Sequence, residues 1–189
     1  LTRIKAIGHR VVHGGDVFTG PALIDERSIQ AIDDLSAYAP LHQPKSLALI
    51  KAIHQLFPNI LQTASFDTAF HRTMPDVNRR FAIPREMHDQ GIKRYGFHGL
   101  SYQSIAQHFN ELDPDLGRKK LVVAHLGSGA SLCALREGKS VDTSMSFSTL
   151  DGIPMATRCG NLDAGVLLHL LSQQNMNADE LTDMLYHRS

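Results

Sequence analysis

The stretch "KKLVVAHLGSGASLCALREGKSVDTS", residues 119–144, decides the fold class of this protein. Its first part, residues 119–126, is an apolar run typical of a strand, and the turn Gly-Ser-Gly follows it directly. The segment after that turn predicts a hairpin that reverses at residues 137–139. We therefore expect a strand, a flexible glycine turn and a second pair of strands in succession.

Outward from this stretch, strands and helices mix in the manner of an α/β fold. Apolar periodicity predicts strands at residues 4–12 and 60–66 and helices at residues 26–38, 46–57, 165–171 and 178–186. Pro40 and Pro44 are expected to keep the first two helices apart. Residues 72–91 predict a long excursion, and Ser101 is expected to cap a helix that runs to about Leu112.

The bulk composition excludes several classes of partner. The 189 residues carry 19 basic and 19 acidic side chains, a balance that argues against nucleic acid or an anionic membrane as the main partner. No apolar run approaches the roughly 20 residues needed to span a bilayer. The two cysteines have no paired or metal-type spacing, which favours a reducing, cytoplasmic setting.

The 11 histidines raise zinc binding as an alternative. His9 and His13 are four residues apart, a spacing that brings ligands together on a helix, whereas "HRVVH" predicts a strand. No Cys-x-x-Cys pair accompanies them. We therefore expect polar contacts to an anionic ligand, and we predict no metal ligand within this chain.

A glycine turn and two arginines have the chemistry of anion handling. The turn Gly127–Gly129 offers backbone N–H groups to an anion, although a plain turn explains it equally well. Arg10 and Arg158 lie beside glycines, and a planar guanidinium suits carboxylate and phosphate; a surface arginine is the alternative.

Two further side chains join them. Asp67 follows a strand, which is typical of a catalytic carboxylate or of a helix N-cap. His98 lies between glycines and is either catalytic or packed in the core. Together these groups are what phosphoryl transfer requires, because its catalysis is mostly positioning and charge stabilisation. The residues alone do not specify the substrate.

Six motifs, in order and spacing, resemble the acetate kinase (acetokinase) family, and the related propionate kinases share most of them. They are "GHRVVHGG", "APLHQP", "FDTAFH", "RYGFHGLS", "HLGSGAS" and "DTSMSFSTLDGIPMATRCGNLD". The resemblance implies the ribonuclease H-like fold of the acetate and sugar kinase, Hsp70 and actin superfamily, with two α/β domains around a nucleotide cleft. Residues 1–68 would belong to the N-terminal domain on the carboxylate side. Residues 69–189 would belong to the C-terminal domain, with the chain incomplete at both ends.

The resemblance also implies roles for individual residues. Arg10 and Arg158 would hold the carboxylate and the phosphoryl group, and Arg158 and His98 would stabilise the transition state. Asp67 would act as acid/base or position acetate and magnesium. The ATP phosphates would be lined by His125, Leu126, Gly127, Ser128 and Gly129, with His42 in support. A small acyl pocket would be formed by Val12, Leu41, Phe97 and Thr149.

The implied activity is transfer of a phosphoryl group between ATP, accompanied by Mg²⁺, and acetate, to give acetyl phosphate and ADP by direct in-line transfer. The enzyme would be a cytoplasmic homodimer. By the same resemblance, Val12 fills the space that an alanine opens in propionate kinases, which favours acetate, since one methylene is worth about 1–3 kcal/mol of discrimination. The chain departs from the family pattern at Thr149, which replaces the usual proline of the pocket wall, and at Tyr102, which replaces a usual histidine. This chain alone is expected to be inactive. Propionate kinase and a non-catalytic or complementing fragment are the alternatives.

Overall fold

The computed structural model describes residues 4–189, which contain two three-stranded sheets. The first sheet has the order β1-β3-β2, with β1 parallel and β2 antiparallel to β3. Its elements are β1 (Ala6–Val11), β2 (Ala22–Leu23), α1 (Glu26–Asp34), α2 (Gln43–Leu56) and β3 (Leu61–Phe66). The two predicted strands of this half are confirmed, and two helices lie between them as predicted, with different bounds. These helices supply the crossover connection that a parallel pair of strands needs.

The first two helices are separate, as predicted, but the second begins earlier than residue 46. Helix α2 begins at Gln43, so that Pro44 lies in its first turn. A proline is tolerated there because the first helical N–H groups have no intrahelical acceptor to lose. The predicted helix 26–38 is divided instead: α1 ends at Asp34, and a 3₁₀ turn, Ser36–Tyr38, follows it.

The first core lies between this sheet and its two helices. Helix α1 begins with a capping box in which Asp25 and Ser28 bond reciprocally. Its apolar face packs with that of α2 against the sheet. The buried members are Val11, Phe18, Ile29, Ile32, Leu35, Leu47, Ile50, Ala64 and Phe66. The core fixes the sheet so that the carboxyl ends of β1 and β3 lie side by side.

The excursion predicted at residues 72–91 contains two short helices, α3 (Asp76–Arg79) and α4 (Arg85–Asp89), after a 3₁₀ turn at Ala69–Thr73. It is tied back to the first half by Asp16, whose carboxylate contacts Arg79 at 3.0 Å and Lys93 at shorter range.

The second sheet is an antiparallel meander in the order β4-β5-β6. The remaining elements are α5 (Gly99–Leu112), α6 (Pro114–Gly117), β4 (Lys120–Leu126), β5 (Ala130–Arg136), β6 (Lys139–Thr143), α7 (Ala164–Gln173) and α8 (Ala178–His187). The hairpin reverses at the predicted place, where Glu137 and Gly138 have φ of 54° and 71°. Two successive positive φ values match the twist of the flanking strands.

The predicted helix cap at Ser101 is wrong. Helix α5 begins at Gly99, its N-cap residue is His98, and Ser101 lies in the first turn. The Ser101 hydroxyl contacts His125 instead, at 3.0 Å. The tertiary contact therefore outweighs the local capping preference.

Among residues 4–189, no helix is long and apolar enough to cross a membrane.

Candidate active site

A cavity of about 310 Å³ lies where the ends of β1 and β3 meet the glycine turn between β4 and β5. It is lined by Arg10, Val12, His42, Asp67, Phe97, His98, His125, Gly127, Ser128, Gly129, Thr149 and Arg158. Every one of these residues is among those predicted from the sequence. Two other predicted residues, Leu41 and Leu126, do not line it.

Strand register explains why Arg10 meets Asp67. In the parallel pair, Arg10 is opposite Ser65 and Val11 is opposite Phe66, so the residue after β3 reaches the side chain at the end of β1. Arg10 donates from Nε to Oδ1 at 3.0 Å and from Nη2 to Oδ2 at 2.6 Å. The Asp67 side chain is 2% exposed and that of Arg10 is 60% exposed. This bidentate hydrogen bond to Asp67 raises the pKa of Arg10 and fixes the plane of its guanidinium.

Arg158 is held differently. Its Nη1 donates to the backbone carbonyl of Thr149 at 2.7 Å, and within residues 4–189 it has no carboxylate partner. Because the contact uses a carbonyl oxygen, it does not depend on the side chain at position 149. Arg158 therefore keeps a full positive charge directed at the cavity, and an anion is its natural partner.

His98 adopts a left-handed backbone conformation, with φ of 57°, at the start of α5. Its Nδ1 lies 2.8 Å from Ser131 Oγ. Burial, followed by the charge interactions with His125, Arg10 and Arg158, lowers the pKa of His98 to about 4. The ring is therefore neutral at pH 7, and its Nε2 faces the cavity.

Glycine at position 129 allows two polar tips to converge. A Cβ atom placed on Gly129 would lie 3.1 Å from Arg158 Nη2 and 3.5 Å from His98 Nε2. These two atoms therefore cover the turn from the same side. His125 stacks on His98 with ring centroids 4.0 Å apart and an interplanar angle of 20°, which fixes the orientation of both rings.

Leu126 does not line the cavity because side chains alternate across a strand. His125 faces the cavity, so Leu126 faces away and its side chain is 76% exposed. Leu41 lies instead in a smaller adjoining cavity of about 20 Å³ that shares Phe97 and Thr149 with the larger one. A further cavity of about 520 Å³ opens beside Arg10, His42 and Arg158. Burial, and next the Arg158 charge, lower the pKa of His42.

The sequence prediction missed the groups that contact His98 from behind. Ser131 lies within the motif "HLGSGAS", and Tyr102 was noted only as a departure from the family pattern. Both are fully buried. The one signal in the sequence was that Tyr102 stands where the family usually has a histidine.

Residues 4–189 hold no group of three or more histidine, cysteine or acidic side chains suited to a metal ion. His9 contacts Gln62 at 2.8 Å, whereas His13 lies among aromatic rings. Asp67 is the one carboxylate among the lining residues of the cavity of about 310 Å³, and both of its oxygens accept from Arg10.

Comparison with known proteins gives concordant results. The family described as "Acetokinase family" matches residues 1–189. The acetate kinase of Methylocella silvestris is 49% identical over 186 residues, which are 98% of this chain and 46% of that protein. A propionate kinase structure from Francisella tularensis superposes with a TM-score of 0.95 at 40% identity, covering 100% of this chain and 49% of the other.

The acetate kinase structure from Porphyromonas gingivalis gives a TM-score of 0.91 at 36% identity, over 100% of this chain and 48% of the other. The chain thus spans about half the length of the curated relatives it matches.

Proposed function

The chain belongs to the acetokinase family, and from this premise we propose that it carries the carboxylate-binding part of the active site of an acetate kinase. The reaction transfers a phosphoryl group between ATP and acetate, with acetyl phosphate and ADP as the other pair. The observation that carries the proposal is the approach of Arg158 Nη2 and His98 Nε2 to the same side of Gly129.

The two groups complement each other in this reaction. The phosphoryl group in flight spreads negative charge over three oxygens, and donors already fixed in place stabilise it most. Arg158 supplies a charged donor without a carboxylate to neutralise it. His98 supplies a neutral N–H, which hydrogen-bonds an oxygen and adds no second charge next to Arg10.

Asp67 acts by positioning in this proposal. The resemblance left two roles open, acid/base catalysis and positioning. Both carboxylate oxygens already accept hydrogen bonds from Arg10, so the carboxylate orients that guanidinium toward the acetate carboxylate. Its burial makes this bond strong, since little water competes for it.

Magnesium accompanies ATP in the proposed reaction and supplies positive charge to the nucleotide phosphates. The described residues do not form a resident site for it, because the one carboxylate that lines the cavity of about 310 Å³ is bonded to Arg10 through both oxygens. Mg²⁺ usually needs one or two carboxylates in addition to phosphates and water.

The small cavity beside Phe97, Thr149 and Leu41 supports acetate as the substrate. Its volume is about 20 Å³, and a water-sized group needs roughly 10–15 Å³ of such space. A methyl group needs less of this space than an ethyl group does, so the cavity favours the shorter acid. Val12 lines the neighbouring cavity of about 310 Å³.

Propionate kinase is the second candidate, and the superposition on the Francisella tularensis propionate kinase favours it. The ratio of kcat/KM for acetate to kcat/KM for propionate distinguishes the two proposals. A ratio of about 10 or more in favour of acetate, the size expected from one methylene, supports the first proposal. A preference for propionate replaces it with the second.

The proposed activity is tested in a chimera in which this chain replaces the matching segment of the Methylocella silvestris acetate kinase. Acetyl phosphate is trapped with hydroxylamine. We expect turnover in the chimera, none with the 189-residue chain alone, and a loss of about 10³-fold in kcat for Arg158→Ala. The matched control is Arg118→Ala, which removes an exposed arginine paired with Asp115 and should change kcat less than about twofold. An Arg158→Ala chimera as active as the control contradicts the proposal.

Three further expectations stay predictions: the homodimer, the cytoplasmic location and the division at residues 68 and 69. Support for the division comes from the two separate cores, one formed between Val11 and Phe66 and the other between Tyr102 and Leu135.

A further inference from the structure

Behind the cavity, three polar side chains form a buried chain of hydrogen bonds. Tyr102 OH contacts Ser131 Oγ at close range, and Ser131 Oγ lies 2.8 Å from His98 Nδ1. Tyr102 and Ser131 are both 0% exposed. Among residues 4–189, Ser131 Oγ has no hydrogen-bond partner other than these two groups.

The direction of these hydrogen bonds follows from the requirement that each buried polar proton has an acceptor. Burial raises the pKa of Tyr102 to about 12, so the phenol keeps its proton at neutral pH. Either oxygen could donate in the Tyr102–Ser131 bond, and among residues 4–189 Ser131 Oγ is the one acceptor within hydrogen-bond distance of the phenol. If Ser131 donated to Tyr102 instead, the phenol proton would be buried without an acceptor, which is costly.

The Ser131 proton has one remaining acceptor, His98 Nδ1. If Nδ1 carried a proton of its own, Ser131 Oγ would face two donors and its own proton would be orphaned. Only one arrangement uses every proton: Tyr102 donates to Ser131, and Ser131 donates to Nδ1. The neutral imidazole then carries its proton on Nε2.

We infer that Tyr102 is a positioning residue, which acts through Ser131 to hold His98 as the Nε2–H tautomer and so directs an N–H donor into the cavity. The catalytic consequence rests on the proposed function, because it requires the transferred phosphoryl group as acceptor. The assignment of the tautomer does not depend on the proposed function.

The same arrangement keeps the ring neutral. A proton added at Nδ1 would remove the lone pair that accepts the Ser131 hydroxyl proton, and that proton would then have no acceptor. The charged and titratable groups that face His98 come from every neighbouring element: Arg10 from β1, Asp67 after β3, His125 from β4, Arg158 from the loop before α7, and Tyr102 from α5 itself. Of these, Asp67 alone favours protonation of His98.

The test is a long-range ¹H–¹⁵N NMR spectrum of the 189-residue chain, with the His98 signals assigned from their loss in His98→Asn. We expect the pattern of a protonated Nε2 and an unprotonated Nδ1. In Tyr102→Phe, Ser131 is free to turn and accept, so the pattern should become a mixture and the pKa of His98 should rise by about one. Ser131→Ala should give the same mixture without touching the tyrosine.

The matched control is Tyr95→Phe. Tyr95 is another buried tyrosine, and its hydroxyl donates to the Gly91 carbonyl at 2.9 Å, away from His98. Its loss should leave the tautomer and pKa of His98 unchanged. A wild-type Nδ1–H pattern, or an unaltered Nε2–H pattern and pKa in both Tyr102→Phe and Ser131→Ala, overturns the inference.

Activity supplies a second measurement that a merely structural role would not produce. In the chimera, Tyr102→Phe should lower kcat about three- to tenfold and leave KM for acetate nearly unchanged, since the donor is used mainly in the transition state. If the NMR pattern changes but kcat does not, the catalytic part is overturned. If the wild-type chimera is inactive, the proposed function fails, and the tautomer is still decided by NMR.

Discussion

His71 and His98 present nearly the same chemistry in two regions, the core under the second sheet and the candidate active site. Each has Nδ1 2.8 Å from a serine hydroxyl of that sheet, Ser140 for one and Ser131 for the other. Burial lowers the pKa of both to about 4. The two histidines differ in what surrounds their Nε2 atoms.

His71 Nε2 lies 2.8 Å from the Phe97 carbonyl, and its ring is fully buried. His98 Nε2 faces the cavity. The comparison teaches that a buried neutral histidine stabilises the fold when both nitrogens have protein partners. It becomes available to a ligand when one nitrogen is left open.

The substitution His98→Asn in the chimera should have the largest effect, a fall in kcat. Asparagine tolerates the left-handed backbone at this position, but it does not reach as far as Nε2. We expect kcat to fall about 10²–10³-fold, with a loss of unfolding free energy below about 1 kcal/mol. Hydroxylamine trapping and urea unfolding measure the two. A large stability loss with normal kcat would make His98 a structural residue and break the comparison.

The same substitution in the core, His71→Asn, should have the opposite result. It leaves the Phe97 carbonyl and the Ser140 hydroxyl without their ring partner and opens a cavity. We expect a loss of about 2–4 kcal/mol in unfolding free energy. In chimera molecules that remain folded, kcat should stay within about threefold of wild type. Urea unfolding of the 189-residue chain decides the first part, and unchanged stability would contradict it.

The free energy of unfolding should fall in acid because the pKa of both histidines is low in the folded chain. Between the ordinary histidine pKa of about 6.5 and the folded value of about 4 for His71, the unfolded chain binds a proton that the folded chain does not. Stability is therefore complete above about pH 6.5 and falls as pH falls towards 4. His13 and His98, with pKa lowered to about 4 as well, act in the same direction.

The measurement is the unfolding free energy at pH 7, 6, 5 and 4.5. In His71→Asn, the dependence on pH should be shallower than in the wild type by about 1 kcal/mol per pH unit. The difference between the two slopes removes the contribution of carboxylates, which both proteins share. Equal slopes would mean that His71 titrates alike in both states.

The smallest effect should come from Ser140→Ala. It removes the hydroxyl that bonds His71 Nδ1, and the net value of one such bond is about 1 kcal/mol. Kinetics in the chimera should be unchanged within about twofold, because Ser140 does not reach the cavity. If Ser140→Ala lowers kcat about three- to tenfold, the effect expected of Tyr102→Phe, the hydrogen-bonded groups behind the two histidines are not distinguished by region.

Much of the fold followed from local patterns. The strand at residues 120–126, the hairpin at Gly138 and both closing helices are local in origin, and the structure contains all of them. The failures, the start of α2 and the cap at Ser101, are both at helix starts. There, one or two residues of shift cost little locally, and a tertiary contact such as that of Ser101 with His125 decides the boundary.

The residues of the candidate site were also largely predictable, because the motifs retain their order and spacing. Leu126 was the clearest exception, since alternation along β4 turns it away from His125. The hydrogen-bond chain from Tyr102 through Ser131 was not predictable, because nothing local relates a helix position to a strand position.

The sequence by itself determined where strands, helices and glycine turns form, since these depend on neighbours a few residues apart. It also determined which guanidinium, carboxylate and imidazole groups were available. Only the tertiary structure decided which histidine lies in the core and which faces the cavity. His71 pairs with a serine 69 residues away and His98 with one 33 residues away. Such pairings exist only after the second sheet has packed against the 3₁₀ turn Ala69–Thr73 and the start of α5.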